Sequence, residues 1–365
     1  MINNKKIKLN LLIRCDANKE IGFGHLSRCM SLAKILRNKY DCNVIFGIKR
    51  SHIAIQKICQ SGFEVEIINK EFTSKNKNII LEIIESRKIS VLFFDLKENV
   101  PLEIIKKIKE KNVILITLDD SSDKRIYSDL VFLPPVPQVK NLKWENFKGT
   151  KFIGWEWMPL RSEFMELKSK SQKKIYTNFK SRRIKFLVTM GGSDPKGFTL
   201  SALKLLDKLS KSKDLKIKIT IILGCSFAFN NEIESLLSSI KIKHNLYRDV
   251  KNIEEFMIDS DLALVAFGTT AYELAVLGIQ SFYYCLTPDH ATSAESFENC
   301  FFGRSFGYQK KINLDKQIEV VKKHINLLDQ SHEKINTLKK EIMGNGALNI
   351  AKEIDKKYFE KTNLN

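Results

Sequence analysis

The chain has 365 residues, enough for two domains of ordinary size. Hydrophobic residues make up 43% and charged residues 28%, a balance that supports a buried core and excludes intrinsic disorder. The formal charge is +19, from 61 Lys+Arg against 42 Asp+Glu, yet only 11 of the basic residues are Arg. Phosphate and base-edge contacts favour Arg, so the Lys excess reads as solvated surface charge, and no nucleic-acid partner is expected. The seven Cys (15, 29, 42, 59, 225, 285 and 300) contain no C-x-x-C pair and the six His no H-x-x-x-H pair. Reduced, buried thiols are therefore expected, with no disulfide framework, metal site or cofactor. The first apolar run is too short for a signal peptide or a membrane span. A cytoplasmic protein is expected, with peripheral membrane contact at most.

In chain order, residues 7–14 predict a first strand, followed by a polar loop to Gly24. His25 to Leu36 carries Leu26, Met30, Ala33 and Leu36 on one helical face. Val44–Ile48, Val65–Ile68, Val91–Phe94 and Val113–Leu118 are short apolar runs that predict buried strands. Helical patterns at Ile53–Cys59, Ile79–Ile84 and Leu102–Ile108 alternate with them. The series breaks at Pro-Pro-Val-Pro, residues 134–137, and residues 166–185 hold eight basic residues and one acid. A solvated linker over 166–183 is expected there. A second series follows, with strands at Ile184–Thr189, Ile217–Leu223, Leu262–Phe267 and Ser281–Leu286. Its helices are expected at Thr199–Leu209, Glu232–Ile240, Ile253–Ser260 and Ala271–Leu277, and the tail from Leu314 reads as helical and polar. Alternation of this kind predicts two α/β, Rossmann-like domains, 1–165 and 184–310, with a helical extension over 311–365. Each parallel sheet would present strand carboxyl ends to a central cleft.

Three loops carry chemistry. The first, Arg14 to Cys29, leaves a strand and enters a helix. Gly22 and Gly24 let backbone N–H groups approach a ligand, but a third glycine of the dinucleotide fingerprint is absent. His25 stands at the helix N-terminus, where the positive end of the dipole favours the neutral imidazole that a general base needs. The second, Met190-Gly191-Gly192-Ser193-Asp194-Pro195, has the form of a phosphate-cradling βα turn. Gly268-Thr269-Thr270 opens a further helix directly after a strand, and Glu273, one turn in, is suited to clamping a ribose diol or to helix capping.

The run R-C-D-A…I-G-F-G-H-L-S-R-C-M-S-L-A over residues 14–33 resembles the UDP-sugar hydrolases of pseudaminic acid biosynthesis and related spore-coat polysaccharide proteins. These are similar to the lipid-II-forming N-acetylglucosaminyltransferase and have the two-domain GT-B fold. G-G-S-D-P and G-T-T-x-x-E-L-A resemble the family's nucleotide-binding signatures, and Arg248-Asp249-Val250 its uracil-facing segment. The likeness spans roughly residues 8–305. It implies a GT-B-like α/β fold and a catalytic role for His25. It also implies a UDP site at Gly191, Gly192, Ser193, Val250, Gly268, Thr269, Thr270 and Glu273. Arg14, Gly22, Gly24, Asp95 and Asp120 are candidate substrate contacts, and Asp16 is a candidate to orient His25 or hold a sugar hydroxyl. The family's Asp-x-Tyr is here Asp95-Leu96-Lys97, so the Tyr is missing, and Asp119-Asp120-Ser121 matches an acidic loop after the next strand. The expected reaction is metal-independent hydrolysis of a UDP-sugar, with His25 activating water and two helix N-termini stabilising the leaving diphosphate. An inverting UDP-dependent glycosyltransferase needs the same groups and is the alternative.

Overall fold

A computed structural model describes residues 9–68, 79–96, 98–171, 179, 181–211, 215–308, 313–330 and 344–363. The expected strand start at residues 7 and 8, Lys97, and Lys173, Lys174 and Lys180 of the basic stretch lie outside the described residues. The chain divides into two compact units. One comprises the described residues of Met1–Pro135, Asn141–Arg161 and Asn345–Asn365, the other those of Val136–Lys140 and Ser162–Gly344.

Unit 1 is built on a parallel sheet of β1 (Asn10–Cys15), β2 (Asn43–Ile48), β3 (Glu64–Ile67), β4 (Val91–Asp95), β5 (Ile114–Leu118), β6 (Leu130–Leu133) and β7 (Thr150–Ile153). The strand order is β3-β2-β1-β4-β5-β6-β7. Helices α1 (Gly24–Tyr40) and α2 (His52–Gln60) cover one face, and α3 (Ile79–Ser86) and α4 (Leu102–Glu110) the other. Successive strand residues point to opposite faces. Leu11 and Ile13 of β1 therefore enter the core with Leu32 of α1, while Leu12 enters the core with Ile84 and Ile105. Both faces are buried, which is why these strands read as continuous apolar runs. The order reverses between β1 and β4, where Cys15 pairs with Asp95, so their carboxyl ends form a topological switch point.

The long segment of unit 2 begins with α5 (Ser162–Ser171). Its parallel sheet contains β8 (Arg183–Thr189), β9 (Lys216–Leu223), β10 (Lys243–Arg248), β11 (Leu262–Ala266), β12 (Gln280–Tyr284) and β13 (Gly303–Ser305). The order β10-β9-β8-β11-β12-β13 repeats the arrangement of unit 1 and puts a second switch point between β8 and β11. The remaining helices are α6 (Phe198–Ser210), α7 (Asn230–Ser239), α8 (Ile253–Asp259), α9 (Thr269–Val276), α10 (Pro288–Asn299) and α11 (Leu314–Gln330). Phe186, Val188, Ile219 and Phe282 of the sheet pack with Leu205 of α6 and Val321 of α11.

The boundaries differ from the sequence expectation in two places. The expected linker starts inside α5, whose helix opens the long segment of unit 2. The expected C-terminal extension divides. Helix α11 packs on α6, whereas a last helix, α12 (Gly346–Thr362), packs on α1 in unit 1. Ile350, Ala351 and Ile354 of α12 are fully buried in the same core as Leu32 and Leu36. At its first residue, Gly346, a side chain would run into the Met158 carbonyl, so a glycine permits the close approach. Four strands were not expected. β7, β10 and β13 pair on one side only, and β10 (KHNLYR) is mostly exposed, so it carries little apolar signal. β6 (LVFL) is fully buried, and its four residues stop just short of the Pro-Pro pair. Among the described residues no helix is long and apolar enough to cross a membrane.

If α12 completes the unit 1 core, Ile350→Ala costs about 2–5 kcal/mol, as large-to-small core substitutions do. Urea unfolding followed by far-UV circular dichroism is expected to give an earlier transition. An unshifted curve would exclude the docking of α12.

Candidate functional site

The loop from β1 to α1 is shaped by its own backbone. Gly22 has φ +80 and donates its N–H to the Asn18 carbonyl at 2.9 Å. The Asn18 side-chain oxygen accepts the Glu20 and Ile21 N–H groups at 2.8 and 2.9 Å. This turn delivers the chain to Gly24, the first residue of α1.

In the first turns of α1, His25, Arg28 and Cys29 fall at i, i+3 and i+4, one helical face. All three reach Asp95 at the end of β4. His25 Nδ1 donates to Asp95 Oδ1 at 2.6 Å. Arg28 donates through Nε to Oδ2 at 2.7 Å and through Nη2 to Oδ1 at 2.5 Å. The Cys29 thiol donates to Oδ2 at 3.3 Å. Burial alone would raise the Asp95 carboxyl; Arg28, and after it His25, outweigh burial and hold it well below the usual carboxylate range. Burial would likewise lower the Arg28 guanidinium, but Asp95 reverses the shift and keeps it charged. Burial, and next the Cys15 thiol, push the Cys29 thiol up, so it stays protonated as a donor. An ionised acceptor assigns the imidazole proton to Nδ1. Arg28 Nη2 lies 3.1 Å from the same Nδ1, but both atoms carry hydrogens and meet only because they share Asp95 Oδ1. Neutral His25 then keeps its lone pair on Nε2. Its side chain is 22% exposed, so a water molecule can reach the ring. The arrangement is that of a base held in one tautomer by a buried carboxylate.

Two of the candidate acids are held by partners other than His25. Among the described residues, Asp16 does not bond His25; Asp95 is the orienting carboxylate. Asp16 instead forms a forked pair with fully buried Arg14, at 2.5 and 2.9 Å, and accepts the Lys49 N–H at 2.8 Å. Arg14 also donates to the Cys15 and Gly47 carbonyls, at 3.1 and 3.3 Å, so this pair ties together the ends of β1 and β2. Asp120 is turned inward as well. It accepts the Ser122 N–H at 2.7 Å and forms a buried ion pair with Lys124 at 2.5 Å. Lys124 in turn donates to the Leu96 and Glu98 carbonyls, at 3.3 and 3.1 Å, fixing the loop after β4. Sequence reading missed Arg28 and Cys29, although the spacing H-x-x-R-C on a helix is a usable signal.

The carboxyl edge of the unit 2 sheet carries the glycine-rich loops. Gly191, at φ +77, has open space where a side chain would stand. Gly192 is held by the Ser226 N–H, which donates to its carbonyl at 2.9 Å. A side chain at Gly224 would collide with Gly191 and Gly192, so the turn after β9 supports the loop after β8. This second glycine turn was not found in the sequence. Ser193 and Asp194 are buried. Asp194 accepts the Phe198 and Thr199 N–H groups, each at 2.8 Å, and so occupies the N-terminus of α6. Two of the backbone donors at the N-terminus of α6 are thereby taken. Helix α9 has no side-chain cap. Its first turn offers Gly268, with open space at Cβ, and half-buried Thr269 and Thr270. Glu273 is buried one turn on. The loops after β8 and β11 flank the second switch point, and Val250 follows β10 on the same edge.

No family model matches the chain. An uncharacterized protein of Methanocaldococcus jannaschii is 34% identical over 283 residues, 74% of this chain and 54% of that protein, so the chain spans about half the length of this relative. The spore coat polysaccharide biosynthesis protein SpsG of Bacillus subtilis is 24% identical over 287 residues, covering 78% of this chain and 80% of that one. The UDP-2,4-diacetamido-2,4,6-trideoxy-beta-L-altropyranose hydrolase of Campylobacter jejuni is 22% identical over 292 residues, covering 78% and 95%. Among solved structures, Acinetobacter baumannii MurG superposes with a TM-score of 0.68 over 95% of this chain and 99% of that chain, at 11% identity. A UDP co-structure of S. aureus MnaA gives a TM-score of 0.61 over 95% and 96%, at 12% identity. The fold is GT-B-like, with two Rossmann-like α/β units.

Asp95→Asn removes the charge nearest buried Arg28 and leaves it only the longer 3.3 Å pair with Asp119, a loss expected to cost about 3 kcal/mol. Because the folded-state pKa of Asp95 is depressed, its contribution is complete above the unfolded-state value of about 4 and is lost progressively as pH falls below it. Urea midpoints measured from pH 7 down to pH 3 are therefore expected to fall more steeply for the native chain than for Asp95→Asn. Parallel acid limbs would refute the pairing.

Proposed function

We propose that this protein is a UDP-sugar hydrolase acting on an acetamido, deoxy sugar nucleotide in nonulosonic-acid or surface-polysaccharide synthesis. The observation that carries the reading is the 2.6 Å bond from His25 Nδ1 to the buried Asp95 carboxylate, which leaves Nε2 as a base. The names of the Bacillus and Campylobacter relatives, one tied to spore coat polysaccharide synthesis and the other to a UDP-sugar hydrolase, support the substrate class.

In this reading the uridine diphosphate binds unit 2. Backbone N–H groups at Gly191, Gly192 and Ser193 and the uncapped first turn of α9 at Gly268, Thr269 and Thr270 meet the phosphates. Glu273 and Val250 serve the nucleoside. His25 Nε2 removes a proton from water as the water oxygen bonds the anomeric carbon. The bond from that carbon to the phosphate oxygen breaks, and UDP leaves with the electron pair. Asp95 stabilises the imidazolium that forms, and the fixed dipoles of unit 2 stabilise the leaving charge.

His25→Ala is expected to lower kcat by about 10²–10⁴-fold, the usual scale for loss of a general base. Turnover in oxygen-18 water is expected to put the label in the free sugar. Unlabelled sugar, transferred instead to an added acceptor, would replace hydrolysis with glycosyl transfer. Gly224→Ala is expected to displace the Gly191–Gly192 turn and weaken UDP binding about tenfold or more by calorimetry. Native affinity in that variant would remove the turn from the nucleotide site.

A further inference from the structure

Asp119 stands beside the His25–Asp95–Arg28 group and has no part in the reaction as described. It follows β5 with φ +53, a left-handed conformation that Asp tolerates better than most residues. Its N–H donates to the Phe132 carbonyl at 2.8 Å, and the turn so fixed brings its Oδ2 to 3.3 Å from Arg28 Nη1. Arg28 is thus shared between two carboxylates. Asp95 takes Nε and Nη2, and Asp119 takes Nη1. The two differ in access. The Asp95 side chain is fully buried with both oxygens engaged, whereas that of Asp119 is 33% exposed. Its Oδ1 receives no hydrogen bond from any described residue.

We infer that Asp119 is a substrate-binding residue whose carboxylate accepts a hydrogen bond from a hydroxyl or amide N–H of the substrate's sugar; the inference rests on the UDP-sugar reading. A carboxylate repels a diphosphate, so the partner belongs to the uncharged glycosyl part. Arg28 holds one oxygen and leaves the other to the ligand. The same guanidinium orients Asp95, so sugar contact and base orientation share a single anchor.

The test uses the full chain and a panel of UDP-acetamido sugars, the one turned over fastest serving as the probe. Asp119→Gly removes the carboxylate and favours the same backbone conformation, and Asp119→Asn keeps the shape without the charge. Loss of a hydrogen bond to a charged group predicts a KM for the probe raised about 10- to 100-fold in Asp119→Gly, and less in Asp119→Asn. kcat is expected to stay within about threefold, its pH profile unmoved, and inhibition by UDP alone unchanged. A KM equal to that of the native protein in both variants overturns the inference. So does an equal loss of UDP affinity, which would assign Asp119 to the nucleotide, or a fall in kcat with a displaced pH profile, which would make it only a support for Arg28. If the native protein turns over none of the panel, the hydrolase reading itself falls, and the inference with it.

Discussion

One buried carboxylate organises the first unit. Asp95 is 1% exposed, and an ionised carboxylate at such a position is costly unless donors surround it. Four donors do so, three nitrogens and one thiol, and all come from a single face of α1. The requirement therefore fixes both the rotation of α1 against β4 and the plane of the His25 ring. The same interactions that let Asp95 remain charged in the interior hold the candidate base in one tautomer. The geometry of the site is a consequence of satisfying a buried charge.

The sheet topology makes this possible. Because strand order reverses between β1 and β4, the loop that follows β1 and the acid that ends β4 are adjacent without any long connection. Two further buried pairs stiffen the same edge. Arg14 with Asp16 secures the ends of β1 and β2, and Lys124 with Asp120 secures the loop beyond Asp95. Neither pair is a surface salt bridge of small effect. Each is buried, and each also fixes backbone groups, which is how such pairs specify a loop conformation.

These pairs also explain what was legible in the sequence. Central strands of five residues or more announce themselves as apolar runs, because both faces are covered; central β6, of only four, does not, nor does β10, because an edge strand needs no such run. His25 was legible because the two glycines and the helix start mark a built loop. Asp16 and Asp120 attracted functional roles because acids near that loop look like ligands. Their partners were also in view. Arg14 and Asp16 are two apart where a strand ends, and Asp120 and Lys124 are four apart, spacings that bring side chains together. Arg28 was passed over because an arginine on an amphipathic helix ordinarily faces solvent, and only a carboxylate waiting at the end of β4 turns it inward.

The two switch points differ in electrostatics although the strand orders match. At the edge of unit 1 the charges are mostly matched in pairs, Arg14 with Asp16, Lys124 with Asp120, and Arg28 with Asp95 and Asp119. In the proposed reading this is the edge that meets the uncharged sugar. At the edge of unit 2, Asp194 fills the N-terminus of α6, and its negative charge opposes that helix's dipole. An anion there is better served by the glycine backbone after β8 and by α9, where Gly268 leaves the first turn uncapped. In the proposed reading the diphosphate is thus favoured toward the β11–α9 turn. In the same reading, sugar and phosphate are told apart by a few buried pairs and open amides, whose effect survives salt that would screen the surface charge.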